Sequence, residues 1–172
     1  MNILLTGMMG SGKSTIGRLL SIKSGKSLID LDELITHKTG PIKTIFKEFG
    51  EEYFRDLETE ELKALTLSIS NSIISTGGGV ILREQNRGIL RKLGKVIWLK
   101  VSPEKVAERL LNDKERPLLL LKESETLESK IRKLIESRTE LYSECADLII
   151  DTDNFNETEV TEIILNSNIW QD

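Results

Sequence analysis

Close to its start the chain reads Gly7-Met8-Met9-Gly10-Ser11-Gly12-Lys13-Ser14, the spacing G-x-x-x-x-G-K-[ST]. Glycines at that spacing let successive backbone N–H groups curl around one anion. A helix beginning there adds its positive end. Lys13 can reach the outer phosphates of a nucleotide, and the Ser14 hydroxyl can coordinate Mg²⁺. The plainer alternative is a tight strand–helix turn with an incidental lysine. An apolar run before the loop and an amphipathic one after it favour phosphate. The loop alone leaves kinase, GTPase and motor-type ATPase open. No N-K-x-D guanine reader follows, and 172 residues are few for a motor module, so a small-molecule kinase is expected.

Further along stand groups suited to an acceptor. Asp30 and Asp32 sit in "IDLD", where one carboxylate can hold Mg²⁺ through water and the other can orient or deprotonate an attacking hydroxyl. A helix start explains the same pair equally well. In "GEEYFRDLE", Arg55 and Glu58 lie three apart and so share a helical face, as a surface ion pair would too. Gly77, Gly78 and Gly79 are consecutive, which is entropically costly unless backbone must approach something closely. "NDKERPLLLLKESET" sets four leucines after Arg116-Pro117 between charged flanks, poor permanent surface and poor regular core alike. A mobile lid over about 112–125 resolves that conflict. Arg138 lies in "ESRTELY" on a helix whose apolar face includes Ile131, Leu134, Ile135 and Leu141; a solvated arginine fits that position as well.

These groups need a scaffold, and the chain alternates strand-like and helix-like runs. "NILLT" (2–6), "SLIDLD" (27–32), "SIISTGGG" (72–79), "KVIWLKVS" (95–102) and "DLIIDT" (147–152) read as five buried strands. Helices are expected from Ser14 to Ser24, over most of 33–70 with breaks at Gly40-Pro41 and Gly50, after Pro103, and from about Asn156. This alternation implies an α/β fold, a parallel sheet with helices on both faces, that binds ligands beyond the carboxyl ends of its strands.

Composition narrows the chemistry. A net charge of −4 argues against a broad nucleic-acid footprint. With one cysteine, Cys145, and one histidine, His37, neither an internal disulfide, a Cys or multi-His metal cluster nor a histidine-based triad can be built. No apolar run reaches the ~18 residues of a membrane span, and no signal-peptide pattern is seen, so a cytoplasmic protein is expected.

Taken in order, GMMGSGKST, IDLD, GEEYFR, STGGG, RPLL and SRxxLY resemble the shikimate kinases, small relatives of the nucleoside monophosphate kinases. The likeness runs from residue 2 to about 165. It implies a three-layer P-loop kinase fold over a single domain, 1–172, whose five-stranded parallel sheet is flanked by helices. A lid (112–125) and a substrate-binding helical segment (33–70) complete it. It further implies that ATP, with Mg²⁺, phosphorylates the 3-hydroxyl of shikimate, in a monomer with no nucleic-acid or membrane partner.

By the same resemblance Gly10, Ser11, Gly12, Lys13, Ser14 and Thr15 hold ATP phosphate, with Ser14 on Mg²⁺ directly and Asp30 through water. Asp32 faces the ring hydroxyls. Arg55 and Arg138 clamp the carboxylate, with Glu58 supporting Arg55 and Gly77–Gly79 approaching the substrate. Arg116 reaches the phosphates from the lid, Arg109 packs on adenine, and 151–154 form the adenine turn. Two positions depart from the family, which often has proline where this chain has Glu140 and Glu157. The rivals are a gluconate kinase on the same scaffold and a nucleotide-binding regulator without catalysis. Because a lid contact forms chiefly on closure, Arg116→Ala is expected to lower kcat much more than shikimate affinity. Equal losses in steady-state kinetics and calorimetry would refute that assignment.

Overall fold

Two strands buried on both faces form the middle of the sheet, and every other element is arranged about them. The computed structural model describes residues 1–110 and 126–171. The expected lid, 112–125, and Arg116 within it lie outside the described residues. The strands are β1 (Ile3–Thr6), β2 (Ser27–Asp30), β3 (Ser72–Ser75), β4 (Lys95–Lys100) and β5 (Leu148–Asp151). All pair in parallel, in the order β2-β3-β1-β4-β5. β1 and β3 carry no exposed residue, in keeping with their apolar centres, whereas β2 and β5 are partly exposed at the edges.

The helices are α1 (Lys13–Ser24), α2 (Leu31–Thr39), α3 (Ile42–Ser68), α4 (Glu84–Leu93), α5 (Pro103–Leu110), α6 (Leu127–Cys145), α7 (Glu157–Leu165) and α8 (Asn168–Gln171). A single 3₁₀ turn, Val80–Leu82, precedes α4. Strand alternation splits the core in two. Leu4, Ile74, Val96 and Trp98 face α2, α3, α4 and α6, packing on Leu31, Phe54, Leu62, Leu90 and Tyr142. Ile3, Leu5, Ile73, Ile97 and Leu99 face the other way, onto Ile16 and Leu20 of α1 and Val160 and Ile164 of α7. No helix among the described residues is long and apolar enough to cross a membrane.

Register brings the two glycine-rich loops together. Leu5 of β1 lies opposite Ser75 of β3 and Ile97 of β4. Thr76 extends the pairing, its N–H and hydroxyl both donating to the Leu5 carbonyl at 3.1 and 3.0 Å. Gly7 and Gly77 therefore leave the same sheet edge side by side, at the point where the strand order reverses about β1.

Between β2 and β3 the expected helical segment has both expected breaks. Gly40 closes α2 and Pro41 caps α3. Gly50 interrupts α3 at φ 83°, ψ 175°. The second strand is shorter than its sequence run suggests. Asp30 accepts from the N–H groups of Asp32 and Glu33 and starts α2 at Leu31, which puts Asp32 in a first helical turn rather than on the strand.

The kink at Gly50 sets the direction of the half of α3 that carries Arg55 and Glu58. A Cβ there would meet no atom within 4 Å, so the demand for glycine is one of backbone conformation alone. Gly50→Ala is expected to destabilise the fold by about 1–3 kcal/mol, read as a thermal midpoint several degrees lower. An unchanged midpoint would show that the kink relaxes without cost.

Candidate active site

Gly12 takes the left-handed conformation, φ 89°, and opens α1 with no side-chain cap. The first N–H groups of that helix are thus left for a ligand. Met8 and Met9 anchor the loop from beneath, packed with Val101, Val106, Leu110 and Ile131. Sequence spacing treats those two methionines as filler, although their apolar bulk beside three glycines was a visible signal. The Lys13 ammonium donates to the carbonyls of Gly7 and Met8, each at 2.9 Å. The Ser14 hydroxyl donates to Asp30 Oδ2 at 2.8 Å. Asp30 thus serves as the helix start, one oxygen capping α2, while its other oxygen meets Ser14.

A cleft of about 410 Å³ opens over these groups, lined by Gly10, Gly12, Lys13, Ser14, Thr15, Asp30, Asp32 and Gly78. Ser11 is buried beneath it. Arg109 donates to the Gly10 carbonyl at 2.8 Å, tying α5 to the phosphate loop. It also borders a recess lined by Thr152, Phe155 and Glu157, which places the expected adenine turn beside the loop.

The acceptor side is built on the three glycines, and each makes room for something different. A Cβ on Gly77 would fall 2.6 Å from Glu58 Oε1 and 2.8 Å from Asp32 Oδ1. On Gly78 it would press on phosphate-loop backbone, 3.2 Å from Met9 N and 3.3 Å from Gly7 O. On Gly79 it would strike the Arg55 guanidinium, 2.3 Å from Nη2. The sequence signalled close approach; the bodies approaching are the protein's own carboxylates, loop and arginine.

Arg55 is 4% exposed and so is no surface pair. Its Nη1 donates to Glu58 Oε2 at 2.5 Å and its Nη2 to Glu51 Oε1 at 2.8 Å. Burial would lower its pKa, but Glu58 and Glu51 outweigh burial and raise it. Burial pushes the Glu58 carboxyl up to about 7 against the pull of Arg55, and the nearby Asp32 charge pushes the same way. Glu58 is wholly buried and its Oε1 has no hydrogen-bond partner among the described residues.

Arg138 arrives from α6, on the other side of the turn, and is also 4% exposed rather than solvated. Helix α6 runs unbroken through Thr139-Glu140, where the family often has proline. Arg138 donates to the Gly78 carbonyl at 3.3 Å and lies 3.9 Å from Met8 Sδ. No ion pair to it exists among the described residues. Tyr142, one turn on, donates to the same carbonyl at 2.5 Å. Behind Arg55, the Thr59 hydroxyl lies 2.9 Å from both the Arg55 carbonyl and Asn86 Oδ1, which fastens this turn of α3 to α4. The sequence reading missed Tyr142, Thr59 and Asn86. Tyr142 alone carried a signal, as the last letter of SRxxLY.

Lys13, Ser14, Asp30, Asp32, Arg55, Glu58 and Arg138 thus gather at one sheet edge, from segments far apart in the chain. The family model for shikimate kinase matches residues 9–168. The shikimate kinase of Thermodesulfovibrio yellowstonii is 42% identical over 165 residues, covering 95% of this chain and 92% of that protein. A solved structure of shikimate kinase from Acinetobacter baumannii, in complex with shikimate, superposes with a TM-score of 0.89 at 39% identity, covering 95% of this chain and 90% of that one. Deoxyadenosine kinase from M. mycoides with bound dATP shares the fold alone, with a TM-score of 0.61 at 20% identity over 96% of this chain and 98% of that one. Similarity of this extent, joined to a phosphate loop facing two buried arginines, establishes that the chain belongs to the shikimate kinase family.

Proposed function

We propose that this chain transfers the γ-phosphoryl group of ATP to the 3-hydroxyl of shikimate. One observation carries the reading furthest: Arg138 is buried without a carboxylate partner among the described residues, across the glycine turn from Arg55. Glu58 acts on Arg138 only from beyond ion-pair distance, and a buried guanidinium without a close counter-charge is costly unless an anion completes it. The carboxylate of shikimate is such an anion, and two planar forks of donors suit it. A carboxylate held there has its ring beside Asp32, between the clamp and the phosphate loop.

Phosphoryl transfer asks for positioning and charge neutralisation rather than covalent work. Lys13, already at the loop carbonyls, exchanges those for the γ-phosphate oxygens. The uncapped start of α1 takes the inner phosphates. Asp32 orients the 3-hydroxyl and accepts its proton late in a loose transition state. Ser14 and Asp30 are hard oxygen donors 2.8 Å apart beside the phosphate site, which suits Mg²⁺, a cation that takes one or two protein ligands and completes its shell with phosphate and water. Bound there, Mg²⁺ neutralises charge on the phosphate oxygens.

A coupled assay of ADP formation tests the reading. ADP should appear with shikimate and not with gluconate. Lys13→Ala should lower the rate on the order of 10³-fold. ADP release indifferent to shikimate would refute it, as would near-normal turnover by the lysine variant.

Glu58 adds a pH signature. The groups facing it are Arg55 and Arg138, which favour its ionised form, and Asp32, which opposes it. When ionised, Glu58 already neutralises part of Arg55; when protonated, it leaves that charge to the substrate. Carboxylate binding therefore raises the pKa of Glu58, and linkage requires affinity to be greater below about pH 7 and to weaken as pH rises through it. The KM for shikimate should rise about threefold to tenfold from pH 6 to pH 8. Glu58→Gln should flatten that profile, and an unaltered slope in the variant would assign the dependence to another group.

A further inference from the structure

The transfer scheme gives Tyr142 no part, yet its hydroxyl makes one of the shortest hydrogen bonds at the site. Its ring is 2% exposed and stacks on Trp98 of β4, with centroids 5.4 Å apart and planes at 14°. The sheet thus fixes where the hydroxyl stands. That hydroxyl lies 2.5 Å from the Gly78 oxygen. A carbonyl can only accept, so the phenol donates. Burial raises the pKa of Tyr142, which keeps it a donor throughout the working pH range.

The same carbonyl also accepts from Arg138, at 3.3 Å, near the long limit of a hydrogen bond. Besides it, among the described residues, that guanidinium faces the Tyr142 hydroxyl oxygen and the Met8 sulfur, the latter at 3.9 Å and a weak acceptor. The Gly78–Gly79 peptide is therefore held firmly by Tyr142 and loosely by Arg138. Its far end, Gly79, is the surface on which the Arg55 guanidinium rests. One peptide unit spaces both arginines, and Tyr142 is its firmest tether.

We propose that Tyr142 is a positioning residue for the carboxylate clamp. Its hydroxyl keeps the Gly78 carbonyl satisfied, so Arg138 can turn its fork to the substrate without leaving a buried acceptor unpaired. The inference rests on the reading of Arg55 and Arg138 as that clamp. Without the hydroxyl, substrate and carbonyl compete for Arg138, because an orphaned buried carbonyl is expensive. The competition weakens shikimate binding and leaves the ATP side untouched.

Tyr142→Phe retains the ring stack and removes only the donor. It should raise the KM for shikimate about tenfold, with the KM for ATP and kcat within about twofold of the original. Arg138→Lys should also raise the shikimate KM, and the double variant should show less than the product of the two effects, since both act on one contact. A silent Tyr142→Phe beside a damaging Arg138→Lys overturns the role of Tyr142 and leaves the clamp standing. A silent Arg138→Lys overturns the clamp itself, and this inference with it. Equal losses for ATP and shikimate, with a lowered thermal midpoint, would mean general loosening and also overturn it. The unaltered protein supplies a readout that needs no variant. The ¹³C carbonyl resonance of Gly78 should keep its hydrogen-bonded position when shikimate saturates the site. A shift to the unbonded position would show that Tyr142 does not hold the carbonyl there, which is fatal to the proposal.

Discussion

The contact between two glycine-rich loops governs the geometry of this site. Gly78 lies so near the phosphate loop that a Cβ would come within 3.2 Å of Met9 N. That closeness follows from sheet register, because Leu5 and Ser75 are paired neighbours and each loop begins one or two residues later. The loop that suits a donor phosphate and the turn against which Arg55 and Arg138 pack are therefore spaced by backbone hydrogen bonds, the stiffest ruler a protein has. The reach of a flexible side chain is not needed to set it. Building reacting partners onto a common rigid edge is how proximity becomes rate.

Two arginines face the same turn in opposite electrostatic conditions. Arg55 is matched by Glu58 and Glu51 before any ligand arrives, and its position over Gly79 is set by those pairs. Arg138 has no ion pair among the described residues and meets a carbonyl, a thioether and the Tyr142 hydroxyl, with Glu58 acting on it only from farther off. The first arrangement gives orientation and the second gives attraction. Two fully compensated arginines would hold an incoming carboxylate weakly, while two uncompensated ones would burden the fold with unpaired buried charge. On the proposed clamp reading, dividing the roles would keep one guanidinium fixed and leave the other to be completed by the ligand.

Much of this was legible in the sequence, and the parts that were not share a physical cause. Patterns carried by short, contiguous runs came through: five apolar strands, the phosphate loop, and the breaks at Gly40-Pro41 and Gly50. Side-chain roles that depend on burial did not. Arg55 with Glu58 three residues on reads as a surface pair as readily as a buried one, and only the packing of α3 against the glycine turn decides. Asp32 read as the end of a strand because "IDLD" is apolar and alternating, yet Asp30 caps the next helix a residue earlier and competition for its carboxylate fixes the boundary. Contacts between distant segments were invisible for a simpler reason: Thr59 with Asn86, and Tyr142 with Gly78, are separated by 27 and 64 residues.

The three glycines show why consecutive glycine can be required where conformation does not demand it. None of Gly77, Gly78 and Gly79 lies in the left-handed region, so backbone conformation does not itself exclude alanine. What excludes a side chain is occupancy. Two carboxylates converge on the first, the phosphate loop presses on the second, and a guanidinium covers the third. On the proposed reading, each partner would supply a different requirement of the transfer: hydroxyl orientation, phosphate binding and carboxylate recognition. Were the turn made of larger residues, these groups would be pushed apart by about the width of a methyl, and near-attack geometry tolerates displacements of only ~1 Å. The entropic cost of three successive glycines in the unfolded chain is thus offset by packing that lets three contacts share one short turn.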